Sequence, residues 1–473
     1  MSKPNRRKPQ KSSPHQTNEI VRPSQRVNRL EPHAAGLDIG ATEIAACVAD
    51  TEGNQIVRIF GTYTADLHTL ADWLAQHHAK SIAMESTGVY WIPIFELLET
   101  RGFACHLISS ADIHRNPGRK SDVLDCQWIQ TLHSYGLLNN SFRPDADLIP
   151  LRTLLRHRAQ LIEHRAPHIL HMQKALTQMN IQIAQVLSDV TGDTGLRILR
   201  AIVAGERDPY KLAVMRNYRC KKDENEIAKG LTGTWRDEHL FVLQQSLEMF
   251  DFYTQKIEAC DTEIERLYTL IRPQEDDAGA EGLSPLPEKP SASHSKNAPK
   301  GVQVRKHLLR IAGVDLLAVN GISASLAQII LAEVGSDLHQ FKDVKHFCSW
   351  LGLAPHNQIT GGKVIASHRL KNHNRAGQAL IQAAASNIRA KTHFGAFYRR
   401  LKSRLGEAQA LIATAHKIAR VIFAMLKTKQ PYRALSEREY EQQFRERELK
   451  ALQRRATKLG LTLVATEQGV AVS

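Results

Sequence analysis

Paired cysteines are missing from this chain. Its six cysteines (Cys47, Cys105, Cys126, Cys220, Cys260 and Cys348) are scattered, with no CxxC pair and no close His/Cys cluster. That pattern argues against a zinc site or a disulfide scaffold and fits reduced, mostly structural thiols. Long apolar runs are missing too: none approaches the roughly 18 to 20 residues of a membrane span. The opening MSKPNRRKPQKSSPHQTNEIV also lacks the apolar core of a signal peptide. The expectation is a soluble cytoplasmic protein with no membrane partner. Acid is short relative to base, 48 Asp and Glu against 63 Lys and Arg, a net charge of +15 and a pI near 9.5. Such a field attracts polyanions and makes nucleic acid the expected partner. At 473 residues, two or three folded units are expected.

Residues 1–32 carry eight Lys and Arg against two Glu and little apolar content, the composition of a disordered basic arm. From Ala34 the pattern turns strand-like: Ala34–Asp38, Glu43–Ala49, a turn at DTEGN, and a third run from Gln55. A helical stretch, a strand at Ser81–Met84 ending in ESTG, a second helix and the strand FACHLIS follow. The order βββαβαβ is that of a ribonuclease-H-like α/β core, placed at 33–148.

Residues 149–271 read as helical, interrupted around VTGDTG. Leu240, Leu243, Leu247, Phe250, Ile257, Ile264, Tyr268 and Ile271 keep a coiled-coil-like spacing, broken at Thr254 and Asp261. That stripe suits pairing with another helix, within the chain or across a dimer. The earlier helix LRTLLRHRAQLIEHR carries Arg152, Arg156, Arg158 and Arg165 and meets Pro167, which is expected to kink or end it. Its arginines read as a solvated face or, alternatively, as contacts to RNA or DNA.

Residues 272–300, rich in Pro, Ser, Ala and charge, have the composition of a flexible linker. A second, mostly α domain is expected at 301–430 and a charged helical tail at 431–473. At its start, two short helices around the NGIS turn resemble a helix-hairpin-helix, in which Gly321 would expose backbone amides to a phosphate.

GLDIG alone admits two chemistries. An Asp-x-Gly-x-Thr turn wraps nucleotide phosphates in actin-like ATPases, whereas in a ribonuclease-H-like sheet Asp38 would hold a metal. In that sheet the first strand lies beside the fourth, so Asp38 and Glu85 converge. Asp122 and Asp125, three apart in GRKSDVLDCQWIQTLHSYG, share a helix face. Four acids then hold two Mg²⁺ ions about 4 Å apart, with Mn²⁺ as the alternative. The actin-like fold needs a second phosphate hairpin, whose only echo, Asp193-Thr194-Gly195, sits between helical stretches.

GLDIG, AMESTGVYW, RKSDVLDCQWI and LRTLLRHRAQL together resemble the DEDD transposases of bacterial insertion sequences (insertion sequence family 110), relatives of the Piv DNA invertases. The likeness continues in FCSWLGLAPHNQITGGKVIASHRLKNHNRAGQALIQAA and covers most of residues 33–427. It implies a RuvC-like nuclease domain, a helical coiled-coil insertion and a C-terminal transposase domain. By position Asp38, Glu85, Asp122 and Asp125 match the four family acids.

The resemblance further implies a serine nucleophile before a Gly-Gly pair, where this chain has Thr360 ahead of Gly361 and Gly362. Threonine keeps the hydroxyl but adds a methyl that crowds it; the alternatives are that Ser367 substitutes for it or that the protein is impaired. Lys363, Arg369, Lys371 and Arg375 crowd the same segment and suit phosphates. The implied partners are donor and target DNA, a structured non-coding guide (bridge) RNA and further copies of the chain as a dimer or tetramer, at the nucleoid. A junction endonuclease that cuts without rejoining is the alternative activity.

Overall fold

A computed structural model of the chain describes residues 29–50, 52–86, 88–109, 122–271, 296–368 and 374–463. The chain divides into two compact units, residues 1–143 and 144–473.

The first unit runs β1 (Ala34–Ile39), β2 (Glu43–Ala49), β3 (Gln55–Gly61), α1 (Thr64–Gln76), β4 (Ser81–Glu85), α2 (Trp91–Thr100), β5 (Ala104–Ile108) and α3 (Asp122–Ser134). The sheet order is β3-β2-β1-β4-β5. The first three strands form the expected antiparallel meander, and β4 pairs in parallel with both β1 and β5.

Alternation along the strands separates the two faces of this sheet. Leu37 and Ile39 of β1 and Ile82 and Met84 of β4 pack into one core with Leu70 and Leu74 of α1 and Ile94 and Leu98 of α2. The opposite face is lined by small residues, Gly36, Ala45, Cys47 and Ala83, and α3 lies on it. A Cβ added at Gly36 would stand 2.4 Å from both the Cys126 carbonyl oxygen and the Gln130 amide nitrogen. Glycine is what lets the helix approach this closely.

In the second unit, α4 (Ile149–Gln178) is followed by α5 (Ile183–Val186), α6 (Asp193–Val203), α7 (Pro209–Val214), α8 (Glu224–Leu231) and α9 (Asp237–Leu270). The apolar stripe of α9 finds its partner within the chain, in α4. Leu243, Leu247 and Phe250 join a core with Met172, Leu176 and the short helices, while Ile257 packs with Leu161.

Both breaks in the stripe are occupied by arginines of α4. Arg165 donates to the Thr254 hydroxyl at 3.1 Å, and Arg158 pairs with Asp261 at 2.6 Å. Of the two expected effects of Pro167, a kink or an end, the helix does not end there; it continues to Gln178. A proline removes one helical hydrogen bond, and the flanking packing of Leu161, Met172 and Leu176 carries α4 across that gap.

The remaining elements are α10 (Val304–Ala312), α11 (Ala324–Val334), α12 (Val344–Trp350), the strands β6 (His356–Thr360) and β7 (Lys363–His368), α13 (Arg375–Ser386), α14 (His393–Leu405), α15 (Glu407–Thr428) and α16 (Glu437–Lys458). By length and composition α15 could cross a membrane, with a mean hydropathy of 1.3, which the sequence reading missed. In this unit it is the helix on which α12, α13 and α14 pack. The charged tail forms α16, exposed over most of its length and docked on α14 through Tyr440, whose ring stacks against Arg400.

Candidate active site

The register of β1 and β4 pairs Leu37 with Met84, so the next residues, Asp38 and Glu85, end up side by side at the carboxyl ends of the two strands. Alternation turns both toward the face that holds Gly36 and Ala83, the α3 face. Both are half-buried.

The direction of α3 follows from three contacts. Its last residue, Ser134, accepts a hydrogen bond from the Glu31 amide ahead of β1 at 3.0 Å. His133 Nε2 lies 2.7 Å from the hydroxyl of Ser81, the first residue of β4, and Gly36 abuts the middle of the helix. The helix therefore runs antiparallel to both strands, and its amino end comes to the edge where Asp38 and Glu85 stand. Asp122 opens the helix and Asp125 follows in its first turn, where the helix dipole favours negative charge.

The side chain of Asp122 lies outside the described residues. Among the described residues no three His, Cys, Asp or Glu side chains are grouped closely enough to hold an ion by themselves. The four expected acids offer one kind of donor, carboxylate oxygens without nitrogen or sulfur, a set that would suit a hard divalent ion such as Mg²⁺ or Mn²⁺.

Several residues that seat α3 carried no sequence signal. Burial, with a smaller contribution from His106, holds His133 down to a pKa of about 4, so it acts as a neutral anchor to Ser81. Gln130 donates to the Ala34 carbonyl at 3.3 Å and accepts from Gln55 at 2.9 Å. The small residue at position 36, alternating with Leu37, is the one clue the sequence offered.

Thr360 sits at the end of an exposed strand. It pairs with Lys363 across a two-residue turn in which Gly361 and Gly362 have φ of 57° and 76°. Two successive positive φ values are the signature of the tight hairpin turn that matches strand twist. No atom lies within 4 Å of a Cβ built at either glycine, so conformation rather than crowding demands them. Thr360, Lys363 and Ser367 are all exposed. Arg375 is exposed in the first turn of α13, which Asn374 caps through the Gly377 amide at 3.0 Å. Arg369 and Lys371 lie outside the described residues.

Comparison with known proteins covers both units. A family model for DEDD transposases of the IS110 type, described as "Transposase", matches residues 35–181. Another, described as "Transposase IS116/IS110/IS902 family", matches residues 315–399. Both matches support an IS110-type transposase. A relative in Pseudomonas aeruginosa, "Probable family 20 transposase", is 29% identical over 144 residues, 28% of this chain and 40% of that protein. The match therefore spans less than half the relative's length.

The arginines of α4 have partners inside the protein. Arg152 Nε and Arg156 Nε each donate to Glu333 of α11 at 2.8 Å. Glu333 is buried, which raises its pKa, but Arg156 and Arg152 outweigh burial and leave it below the ordinary carboxylate value. Arg165 reaches Thr254 and the Asn297 side chain, the latter at 2.7 Å. Buried carboxylates need such partners, and α4 supplies them where a solvated or nucleic-acid face was expected. Gly321, with φ of 93°, lies so close to α13 that a Cβ would stand 2.4 Å from the Ala383 carbonyl. That contact accounts for its glycine without a phosphate.

Proposed function

We propose that this chain is an insertion-sequence DNA transposase that cuts and rejoins DNA through a RuvC-like carboxylate site and a threonine hydroxyl. The observation that carries this reading is the antiparallel seating of α3, which brings the helix end bearing Asp122 and Asp125 to the strand edge bearing Asp38 and Glu85. The family matches to both units support it.

Asp38, Glu85, Asp122 and Asp125 would hold one or two divalent ions, which when bound supply charge stabilisation at a scissile phosphate. The chain's own chemistry is transfer of a phosphodiester to a hydroxyl. The Thr360 Oγ attacks phosphorus, its proton passing to a general base. A P–O bond to the DNA sugar breaks, and the leaving alkoxide takes up a proton. The phosphodiester thus formed on Thr360 keeps the bond energy, so a second sugar hydroxyl displaces Thr360 and rejoins DNA without ATP. Lys363 and Arg375 are exposed cations beside this segment and would hold neighbouring phosphates. A structured guide RNA selects the DNA, and copies of the chain act together as an oligomer, as in the family.

The test mixes purified protein, the element's RNA, and donor and target DNA. Recombined product is expected, abolished by Asp38→Ala, together with a covalent protein–DNA adduct that Thr360→Ser keeps and Thr360→Ala loses. Recombination indifferent to Asp38→Ala sinks the mechanism. Cleavage without an adduct turns the reading to a junction endonuclease.

A further inference from the structure

Helices α14, α15 and α16 border a cavity of about 760 Å³ that the proposed chemistry leaves unused. Its lining includes the apolar side chains of Leu353, Phe397, Ile412 and Ala413 together with Lys417, Arg420 and Arg447. A smaller cavity of about 390 Å³ shares Lys417, Tyr440 and Arg447.

Of these cations, Lys417 is held between two rings, and Arg447 donates to Gln443 at 3.3 Å. Lys417 Nζ lies 4.1 Å from the centre of the Tyr440 ring and 4.5 Å from that of Phe397. Arg400 stands over Phe444 at 3.5 Å and over Tyr440 at 4.8 Å. No carboxylate appears among the described residues lining the larger cavity. Burial first, then the charges of Arg400, Arg447 and Arg420, push Lys417 down to about 8. A concentration of like charge without counter-charge is relieved by a bound anion.

The lining calls for two properties in one ligand. An acidic peptide satisfies the cations but leaves the apolar side chains wet, and an inorganic anion does the same. A nucleotide carries both a flat apolar ring and a phosphate. Aromatic side chains interleaved with basic ones are how proteins hold single strands, whereas a paired base has both faces already stacked. Ser367, on the strand that follows the Thr360 turn, lines the same cavity, so an occupant would stand against the hairpin.

We propose that this cavity receives one unpaired nucleotide of a single-stranded nucleic acid, its base beside Phe397 and its phosphate at Lys417, Arg420 and Arg447. The inference rests on the transposase reading only in expecting nucleic acid as the occupant. The strand could be RNA or DNA, and the two share the recognised unit.

The experiment uses the full chain without divalent metal. Fluorescein-labelled oligo(dT), oligo(rU) and a duplex of equal length are titrated against wild type, the double variant Arg420→Gln/Arg447→Gln and Lys417→Met. Iodouridine-substituted single strands are photo-crosslinked and the adducts mapped. The exposed double variant is expected to weaken single-strand binding by at least about fivefold while changing duplex binding far less. Crosslinks are expected on peptides containing Phe397 or Tyr440. The tighter of the DNA and RNA arms identifies the source. Equal losses for single strand and duplex, crosslinks confined to other peptides, or competition by poly-glutamate as effective as by oligonucleotide would each overturn the proposal. Lys417→Met, checked for unchanged melting, gives the same reading at the partly buried position. A protein that binds and crosslinks here but never rejoins DNA removes the proposed activity and leaves this site standing.

Discussion

Arg158 and Asp261 form an ion pair between α4 and α9, with Nε to Oδ1 at 2.6 Å and Nη2 to Oδ2 at 3.1 Å. Only 6% and 1% of their surfaces are exposed. Removing one partner strands a charge in a dry interface, and Asp261→Leu is expected to destabilise the protein by roughly 3 to 5 kcal/mol. Arg158→Met combined with Asp261→Leu should recover most of that loss, because both charges leave together. Denaturant unfolding of the single and double variants measures the coupling; additive losses would mean the pair is unimportant.

Gly36→Ala is expected to damage catalysis through α3. The added methyl would meet backbone atoms of Cys126 and Gln130 at 2.4 Å, and backbone cannot swing aside as a side-chain tip can. A stability cost of about 1 to 3 kcal/mol should accompany loss of recombination, since the displaced helix carries Asp122 and Asp125. Wild-type recombination by this variant would show that the seating of α3 is irrelevant to the acids.

At the hairpin the expectation is reversed. Gly361→Ala with Gly362→Ala costs about 1 to 2 kcal/mol per residue in local backbone strain, but the strands are exposed and lie outside any buried core. The melting temperature should scarcely move, while formation of the covalent adduct falls with the loss of the turn that presents Thr360. Loss of melting temperature matching that of a core substitution would contradict this.

Glu333 makes stability depend on pH on the acid side. Burial raises its pKa, yet Arg156 and Arg152 prevail and leave it below 4.5 in the folded protein. A depressed carboxylate stabilises the fold above its unfolded pKa, and the benefit is lost as pH falls through the folded value. The difference in melting temperature between wild type and Glu333→Gln should therefore be largest near neutrality. It should shrink as pH falls below the ordinary carboxylate range and through the lower folded value; a constant difference would rule the carboxylate out as the cause.

Much of the first unit was legible because its signals are local. Strand alternation and the run of turns gave β1 to β5 and the adjacency of Asp38 and Glu85. What could not be read was the path of α3, since it is set by His133, Gln130 and Gly36, whose contacts lie between 52 and 96 residues away in sequence. The α9 stripe announced a partner helix without saying which, and Thr254 and Asp261 looked like flaws in the stripe. They are where Arg165 and Arg158 enter, and an ion pair between distant residues leaves no periodic trace. Pro167 does not end α4 because the local rule against proline inside a helix is outweighed by packing on either side of it.

Residues 296–300 are held by the same helix pair. Arg158 donates to the Asn297 carbonyl at 3.1 Å, and the Lys300 amide donates to Asp261 at 3.0 Å. Lys300 Nζ also reaches Glu258 at 2.7 Å. Farther on, Arg310 donates to the Ile271 and Tyr268 carbonyls at the end of α9. A polypeptide cut between 272 and 295 would keep every one of these bonds, so the two fragments should copurify as a nicked particle, and each should find the other when expressed from separate messages.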